Sequence, residues 1–536
     1  MRQPKLHTTI PQFLALAALA LCAVFAPGVE AAVPGITGPA FNLAASEAYT
    51  SQPDGTSVYG WGYGCNGTPA GFEPAAIAGA VCSPMQQPGP TLIVHQGDAV
   101  RVTLTNNLPA AAGNTSILFT GFTVATDSAD AGVAGLLTSE APHGGTVTYT
   151  FTATTPGTHS YYSGTQGDLQ IEMGLYGAIV VIPSGIPSAC TSTPNDATRG
   201  VGGISEAEFD FRLAAAAYDN ASACYDREYL FQFSEIDLRI HREVEQQVLA
   251  DAAKPAGQQC TQSRGCLTVD TEPYHAAYFL INGRSMPDDM DPNYALQYPH
   301  QPYNGNPHMH PGELVLLRVI GTGRLQHPFH EHGNHVRILA RDGNLIVSQS
   351  DPTKLAGPLL FTTTTTPGLA MDGIFYWTGK GLNWDVFGHT DDAATVAAAP
   401  TASAPCEADG NGYYTSDPAA PNYYEWCADH NRALESKPTG FVGSGGPVSL
   451  PDANILAGGA WYGGSPYLGG DATIRAVNAT PIPPSGTVAN GTDEAGFAFM
   501  WHSHNERELT TNNAFPGGMM MMMLVDPRAF VIDEKN

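Results

Sequence analysis

The stretch Thr91-Leu92-Ile93-Val94-His95-Gln96-Gly97-Asp98-Ala99-Val100-Arg101-Val102-Thr103-Leu104 reads as a strand, a turn and a second strand. Its opening run is apolar and β-branched, Gly97-Asp98 supplies the turn, and Val100 to Leu104 alternates apolar with polar at a period of two. The same pattern recurs on both sides. Val147-Thr148-Tyr149-Thr150-Phe151 alternates, and Tyr176 to Ile182 is an apolar closing strand. Further on, Tyr229 to Phe233, Tyr278 to Ile281 and Leu314 to Leu317 open a second β unit, whose last strands arrive only between Phe497 and Val525. Ile236 to Leu249 is the one plausible long helix. Alternating strands joined by turn residues predict an all-β chain of tandem antiparallel Greek-key β-sandwiches or barrels.

Composition agrees with that reading. The chain has 536 residues, of which 43% are hydrophobic and only 14% charged, against roughly 25% charged in an ordinary domain. Its 59 glycines and 42 prolines fall short of the roughly 25–30% that marks low-complexity disorder. A formal charge of −27 argues against nucleic acid or an anionic membrane as partner. Arg2 and Lys5, the apolar run Phe13 to Phe25 and the small-residue site Val29-Glu30-Ala31 read as a secretory signal peptide over 1–31. No later segment is long and apolar enough to span a membrane. The expected localisation is therefore secreted, periplasmic or cell-surface. The expected organisation is a first β domain over 32–185, a polar connector over 186–224, and a second β domain over 225–530 with an insertion at about 391–490.

Setting Cys22 aside with the leader leaves Cys65, Cys82, Cys190, Cys224, Cys260, Cys266, Cys406 and Cys427. An even number in an exported chain implies disulfides, although eight cysteines allow 105 pairings. Neighbour pairing closes short loops and is the expected arrangement. No Cys-x-x-Cys occurs, which removes thioredoxin-like and zinc-ribbon readings.

Two segments carry most of the chemistry. One is His327-Pro328-Phe329-His330-Glu331-His332-Gly333-Asn334-His335; the other is Trp501-His502-Ser503-His504, followed by Gly517-Gly518-Met519. Alternate residues of a strand share a face, so His330 points with His332 and His502 with His504. Two such pairs on adjacent strands converge four imidazoles, a donor set that suits copper or zinc.

Through these residues the chain resembles the multicopper oxidases, the cupredoxin-fold group that includes laccases. Gly89-Pro90-Thr91, Gly97-Asp98, Pro156-Gly157-Thr158 and Gly174-Leu175-Tyr176-Gly177-Ala178 look like that family's first domain. Ile281-Asn282-Gly283-Arg284, Pro311-Gly312-Glu313 and the segment from His327 through Arg341-Asp342-Gly343 look like its copper-bearing last domain. A single Ile-Asn-Gly-Arg stretch favours two cupredoxin-like domains over three. The resemblance implies a type 1 copper that takes electrons from a reductant, and a trinuclear cluster that reduces oxygen.

The departures are specific. The family's first His-x-His-Gly aligns with Leu118-Phe119-Thr120-Gly121, and its second pair with Tyr162-Ser163-Gly164, so these four ligands are missing. His327 matches a type 1 ligand, while His330, His332, His502 and His504 match cluster ligands. The type 1 cysteine is Ser503, the downstream type 1 histidine aligns with Glu508, and Met519 reaches the axial position only across an insertion. A serine hydroxyl cannot replace the thiolate of a blue-copper site. The implied centre is one copper ion per chain on His330, His332, His502 and His504, with His327, Ser503, Glu508 and Met519 marking a vacated type 1 position.

Other residues have simpler readings. Met519 to Met523 are expected to pack in the core, and His308-Met309-His310 is expected on an exposed loop. Asp127, Asp130 and Glu140 are expected to be solvated loop carboxylates. His159 falls opposite Tyr162, which argues against its replacing a lost ligand. Two functions compete. One is an exported copper oxidoreductase acting on a small reductant or oxygen; the other is a non-catalytic copper-binding or surface scaffold protein. The two-domain layout, through the same resemblance, implies a homotrimer.

Overall fold

Among the described residues the main strands form two pairs of stacked sheets, and the alternation seen in the sequence decides which side chains they enclose. The computed structural model describes residues 33–75, 77, 79–190, 208–310, 312–377, 464–467, 496–526 and 532. The leader, the Cys406–Cys427 pairing and most of the insertion lie outside these residues. The first sandwich contains β1 (Ala40–Ser51), β2 (Ser57–Cys65), β3 (Leu92–His95), β4 (Ala99–Asn106), β5 (Thr146–Thr152), β6 (Gly157–Tyr162) and β7 (Tyr176–Ile182). One sheet runs β2-β1-β4-β5 with an edge strand at Ala125–Thr126. The other runs β3-β7-β6, bordered by Gly35–Thr37, Phe72–Glu73 and Leu118–Phe119. Leu43, Val102, Leu104, Val147 and Tyr149 from one sheet meet Leu92, Val94, Tyr161, Ile179 and Val181 from the other.

The second sandwich contains β8 (Arg227–Ile236), then helix α1 (Leu238–Ala252), β9 (Tyr278–Ile281), β10 (Leu314–Gly321), β11 (His327–Glu331), β12 (Val336–Arg341), β13 (Thr362–Thr365), β14 (Ala370–Tyr376), β15 (Gly496–Ser503) and β16 (Met520–Val525). Its sheets run β9-β8-β10-β14-β12 and β16-β15-β11-β13. Residues 464–467 of the insertion pair with β15. Phe231, Phe233, Val315, Leu317 and Phe375 pack against Phe329, Trp501, Met521, Met523 and Val525. Met519, Met521 and Met523 of the methionine run therefore pack in this core as expected, while Met522 is only half-buried.

The all-β expectation holds, but the ladders are mixed. β1 pairs parallel with β4, β7 with β3, and β8 with β10. Neighbours in these sheets come from different hairpins joined across the sandwich, which a purely antiparallel reading of local turns misses. Disulfides Cys65–Cys82, Cys190–Cys224 and Cys260–Cys266 follow the neighbour pairing.

Helix α1 begins at Asp237, whose carboxylate accepts from the Arg239 N–H and satisfies a donor that the first turn leaves unpaired. Its spacing of Ile240, Val244 and Val248 presents one apolar stripe. That stripe enters the core of the first sandwich, although the helix directly follows the first strand of the second. The disulfide loop joins it there, with the Cys266 N–H donating to the Ala111 carbonyl at 2.9 Å.

The two sandwiches meet along β7. All seven of its residues are buried, because Ile179 and Val181 face inward while Ala178 and Val180 meet Leu230, Ile320 and Ala370 of the second sandwich. Burial on both faces explains its unbroken apolar run. Several buried polar groups in this seam are paired. Asp372 accepts from the Thr158 hydroxyl at 2.6 Å and from the Thr158 N–H at 3.1 Å, and also from the Tyr218 hydroxyl. Arg318 donates to Glu228 at 2.8 Å and to the Thr158 hydroxyl at 3.0 Å. Removing one partner of such a network leaves the others buried and unpaired. Asp372→Ala is expected to lower stability by about 3–5 kcal/mol, whereas Tyr218→Phe, which deletes one donor, costs about 1 kcal/mol. Urea unfolding midpoints measure both, and equal losses would contradict this account of the seam.

Candidate metal centre

Strands β11 and β15 run antiparallel with Phe329 opposite Ser503, His330 opposite His502 and Glu331 opposite Trp501. This register sets His330 and His502 side by side and carries His332 and His504 just past the strand ends on the same face. The turn after His332 depends on Gly333, whose φ is +101° and whose missing side chain would strike the Phe499 ring within 3 Å. Trp501 Nε1–H donates to the His332 carbonyl at 2.9 Å and anchors that turn.

Ligand nitrogens of His330, His332 and His502 lie within 4.8 Å of one another, and all three residues are buried. Ring centroids are 5.0 Å apart for His330 and His332, 5.0 Å for His332 and His502, and 5.5 Å for His330 and His502. His502 Nδ1 lies 2.7 Å from the Ser503 carbonyl. A carbonyl only accepts, so Nδ1 carries the proton and a neutral His502 keeps its lone pair on Nε2. That Nε2 lies 3.1 Å from Nε2 of His332. His330 Nδ1 contacts the Thr362 hydroxyl at 2.8 Å, which orients its ring. His504 is exposed and stands at the edge, its ring 4.9 Å from that of His330.

Burial, reinforced by the neighbouring imidazoles, lowers the His330 pKa to about 3, and burial lowers that of His502. Both are neutral at pH 7 and offer lone pairs rather than charge. Clustered neutral imidazoles are suitable donors for a borderline transition metal.

His327 has a different setting. It lies buried between two carboxylates, Nδ1 2.9 Å from Glu508 and Nε2 2.9 Å from Glu235. The Ser503 hydroxyl donates to the same Glu508 oxygen, and Asn505 Nδ2 donates to the other at 2.9 Å. Glu235 also accepts from the backbone N–H groups of Arg324 at 2.6 Å and Leu325 at 2.9 Å. The Met519 N–H donates to the Glu508 carbonyl, while its side chain belongs to the apolar core. Burial alone would lower the His327 pKa; its hydrogen bonds to Glu235 and Glu508, with their charges, push it up to about 9. The result is an imidazolium held by two carboxylates. Sequence reasoning missed Glu235, whose signal was an acid near the end of the buried strand β8.

Several sequence expectations are corrected. His308-Met309-His310 is buried, not exposed. His308 Nδ1 lies 2.5 Å from Asp526 and His310 Nε2 2.7 Å from Glu208, because residues 308–309 pair with β16. Asp127, Asp130 and Glu140 are half-buried rather than freely solvated. Asp127 pairs with Arg101 at 3.0 Å; Asp130 accepts from Thr146 and Thr148, and Glu140 from Asn114 and Thr165. His159 contacts the Thr155 carbonyl at 3.0 Å and packs on Phe122.

The charge clamp implies a pH dependence. His327 titrates near 6.5 when unfolded and at about 9 when folded. Its stabilisation is therefore complete below about pH 6.5 and lost as pH rises to about 9. Burial raises the Glu331 pKa to about 8, and this acid also lowers stability as pH rises, from about 4.5 to 8. In Glu331→Gln, denaturation midpoints should still fall between pH 7 and 9; adding Glu508→Gln should flatten that fall. A profile unchanged by Glu508→Gln would refute the clamp.

Comparison with known proteins addresses ancestry. The multicopper oxidase family matches residues 79–185. "Laccase-3" of Botryotinia fuckeliana is 38% identical over 97 residues, covering 18% of this chain and 20% of that protein. The chain thus matches about a fifth of that relative's length. Among solved structures, the multicopper oxidase mgLAC gives a TM-score of 0.43 at 14% identity, over 92% of this chain and 88% of its own. A blue copper oxidase from Nitrosomonas europaea gives 0.40 at 14% identity, over 90% and 85%. The matched segment spans the Gly89, Gly97, Pro156 and Gly174 motifs of the first sandwich, and both histidine segments lie outside it. Within this all-β chain, residues 79–185 therefore match the multicopper oxidase family, and 97 residues are similar to a laccase.

Proposed function

We propose that this is an exported copper-binding protein of multicopper oxidase descent, with one mononuclear copper centre on His330, His332 and His502 and with His504 at its edge. The convergence of three buried imidazoles within 4.8 Å carries the reading. His330 and His502 fit the ion because they are held neutral, and Thr362 and the Ser503 carbonyl orient their rings. Such outer contacts fix the ring and the nitrogen that coordinates. Copper in such a site supplies one-electron exchange with a small reductant or with oxygen. The buried surroundings limit access of water, and exposed His504 leaves one side open.

The His327 cluster supports loss of the type 1 site. A histidine held between two carboxylates, with a serine in place of the thiolate, lacks the soft ligand that electron transfer through blue copper requires. The four missing first-domain ligands add to this: Leu118 and Thr120 occupy one pair of positions, Tyr162 and Gly164 the other. These observations favour copper binding over multicopper turnover, so a non-catalytic copper-binding or scaffold role is the second reading. We assign the protein to the secreted, periplasmic or surface fraction on its leader-like N-terminus, and a homotrimer remains part of the proposal. Among the described residues no helix is long and apolar enough to cross a membrane.

Copper titration followed by metal analysis and spin resonance should give one ion per chain without an intense blue band. The double substitution His502→Ala/His504→Ala should weaken uptake by about 100-fold or more. Three ions per chain, an intense blue colour, or tight uptake by the double variant would overturn the assignment. Oxygen consumption with a phenolic donor separates the two functions. Turnover above that of free copper and absent from the double variant establishes an oxidoreductase, whereas uptake without turnover leaves a binding protein.

A further inference from the structure

A cavity of about 550 Å³ lies between β1, β2 and α1, and no residue of the histidine centre lines it. Its volume falls within the usual range for small-molecule sites. Tyr49 and Tyr59 form an aromatic corner, with ring centroids 5.6 Å apart at an interplanar angle of 66°. The Tyr49 hydroxyl donates to Glu245, and the Tyr59 hydroxyl donates to Glu47. Val248 and Leu249 of α1 provide apolar wall, and Tyr49 and Leu249 are 49% and 60% exposed.

The wall carries three carboxylates, Glu47, Glu245 and Asp251, and one imidazole, His143. Among the described residues that line the cavity there is no lysine or arginine. A third acid, Asp251, is already engaged, by Lys254 at 2.7 Å and by the Cys260 N–H at 3.0 Å. Among the described residues Glu47 and Glu245 pair with no such cation; their partners here are phenols. Each carboxylate offers about four acceptor positions and a phenol uses one, so acceptor capacity remains on both. The phenols also tie the carboxylates to the aromatic corner. Aromatic faces attract cations through their quadrupole, and the two acids repel anions.

We propose that this cavity is a second binding site, for an organic primary ammonium compound whose cationic head meets Glu47, Glu245 and the tyrosine rings while its apolar body lies against Val248 and Leu249. A primary ammonium has three N–H donors, enough to reach both carboxylates, and an uncharged solute of the same shape gains neither ion pairing nor cation–π attraction.

The test titrates the full chain by calorimetry at pH 7 and low salt with 2-phenylethylammonium chloride, and in parallel with 2-phenylethanol. The ammonium should bind at least about tenfold more tightly than the alcohol and weaken in 0.5 M sodium chloride. Glu47→Gln/Glu245→Gln should remove most of that preference, and Tyr49→Ala should weaken ammonium binding further. These side chains lie outside the histidine centre, so copper uptake and unfolding midpoints verify that each variant is folded. Equal binding of ammonium and alcohol, no ammonium binding at about 10 mM, or full ammonium affinity in the double glutamine variant would overturn the proposal.

Discussion

Everything at the histidine centre depends on one antiparallel register. With His330 opposite His502, two His-x-His pairs that lie 172 residues apart in sequence reach one face of one sheet. Because side chains alternate, a one-residue slip would send the imidazoles into the apolar core and bring Phe329 and Trp501 to the metal face. The core prevents that slip. Phe329 and Trp501 are fully buried between the sheets, and the Trp501 indole is tied to the His332 carbonyl. The packing of large aromatics on one face thus positions the imidazoles on the other.

The same sheet contrasts two ways of keeping histidine buried. His330 and His502 stay neutral because desolvation and neighbouring imidazoles oppose a proton, which leaves lone pairs for coordination. His327, three residues before His330, stays charged because Glu235 and Glu508 more than offset desolvation. A metal and a proton compete for the same nitrogens. Where two carboxylates grip the ring, the proton is the favoured occupant, so the clamp makes His327 a structural cation rather than a metal donor.

The seam and the helix make the two sandwiches interdependent. α1 leaves β8 of the second sandwich and fills the core of the first, while Asp372 and Arg318 pair with groups from both. The cavity lined by Tyr49, Tyr59 and α1 exists only because of this exchange, since its wall combines strands of the first sandwich with a helix that comes from the second.

Much was legible in the residues themselves. Period-two alternation marked the major strands, the Ile240-Val244-Val248 stripe lay within the expected helix, and short spacing anticipated three disulfides. The paired histidines announced a candidate metal centre because strand geometry places i and i+2 on one face whatever the fold. Partners distant in sequence were not legible. Glu235 reads locally as one of two acids in a buried strand, and its role appears only when β8 packs behind His327. His308 and His310 look like loop residues until the parallel pairing with β16 buries them. Local sequence dictates what a segment forms and which face it offers; only tertiary packing decides which buried charge meets which counter-charge, because those partners lie far apart in sequence.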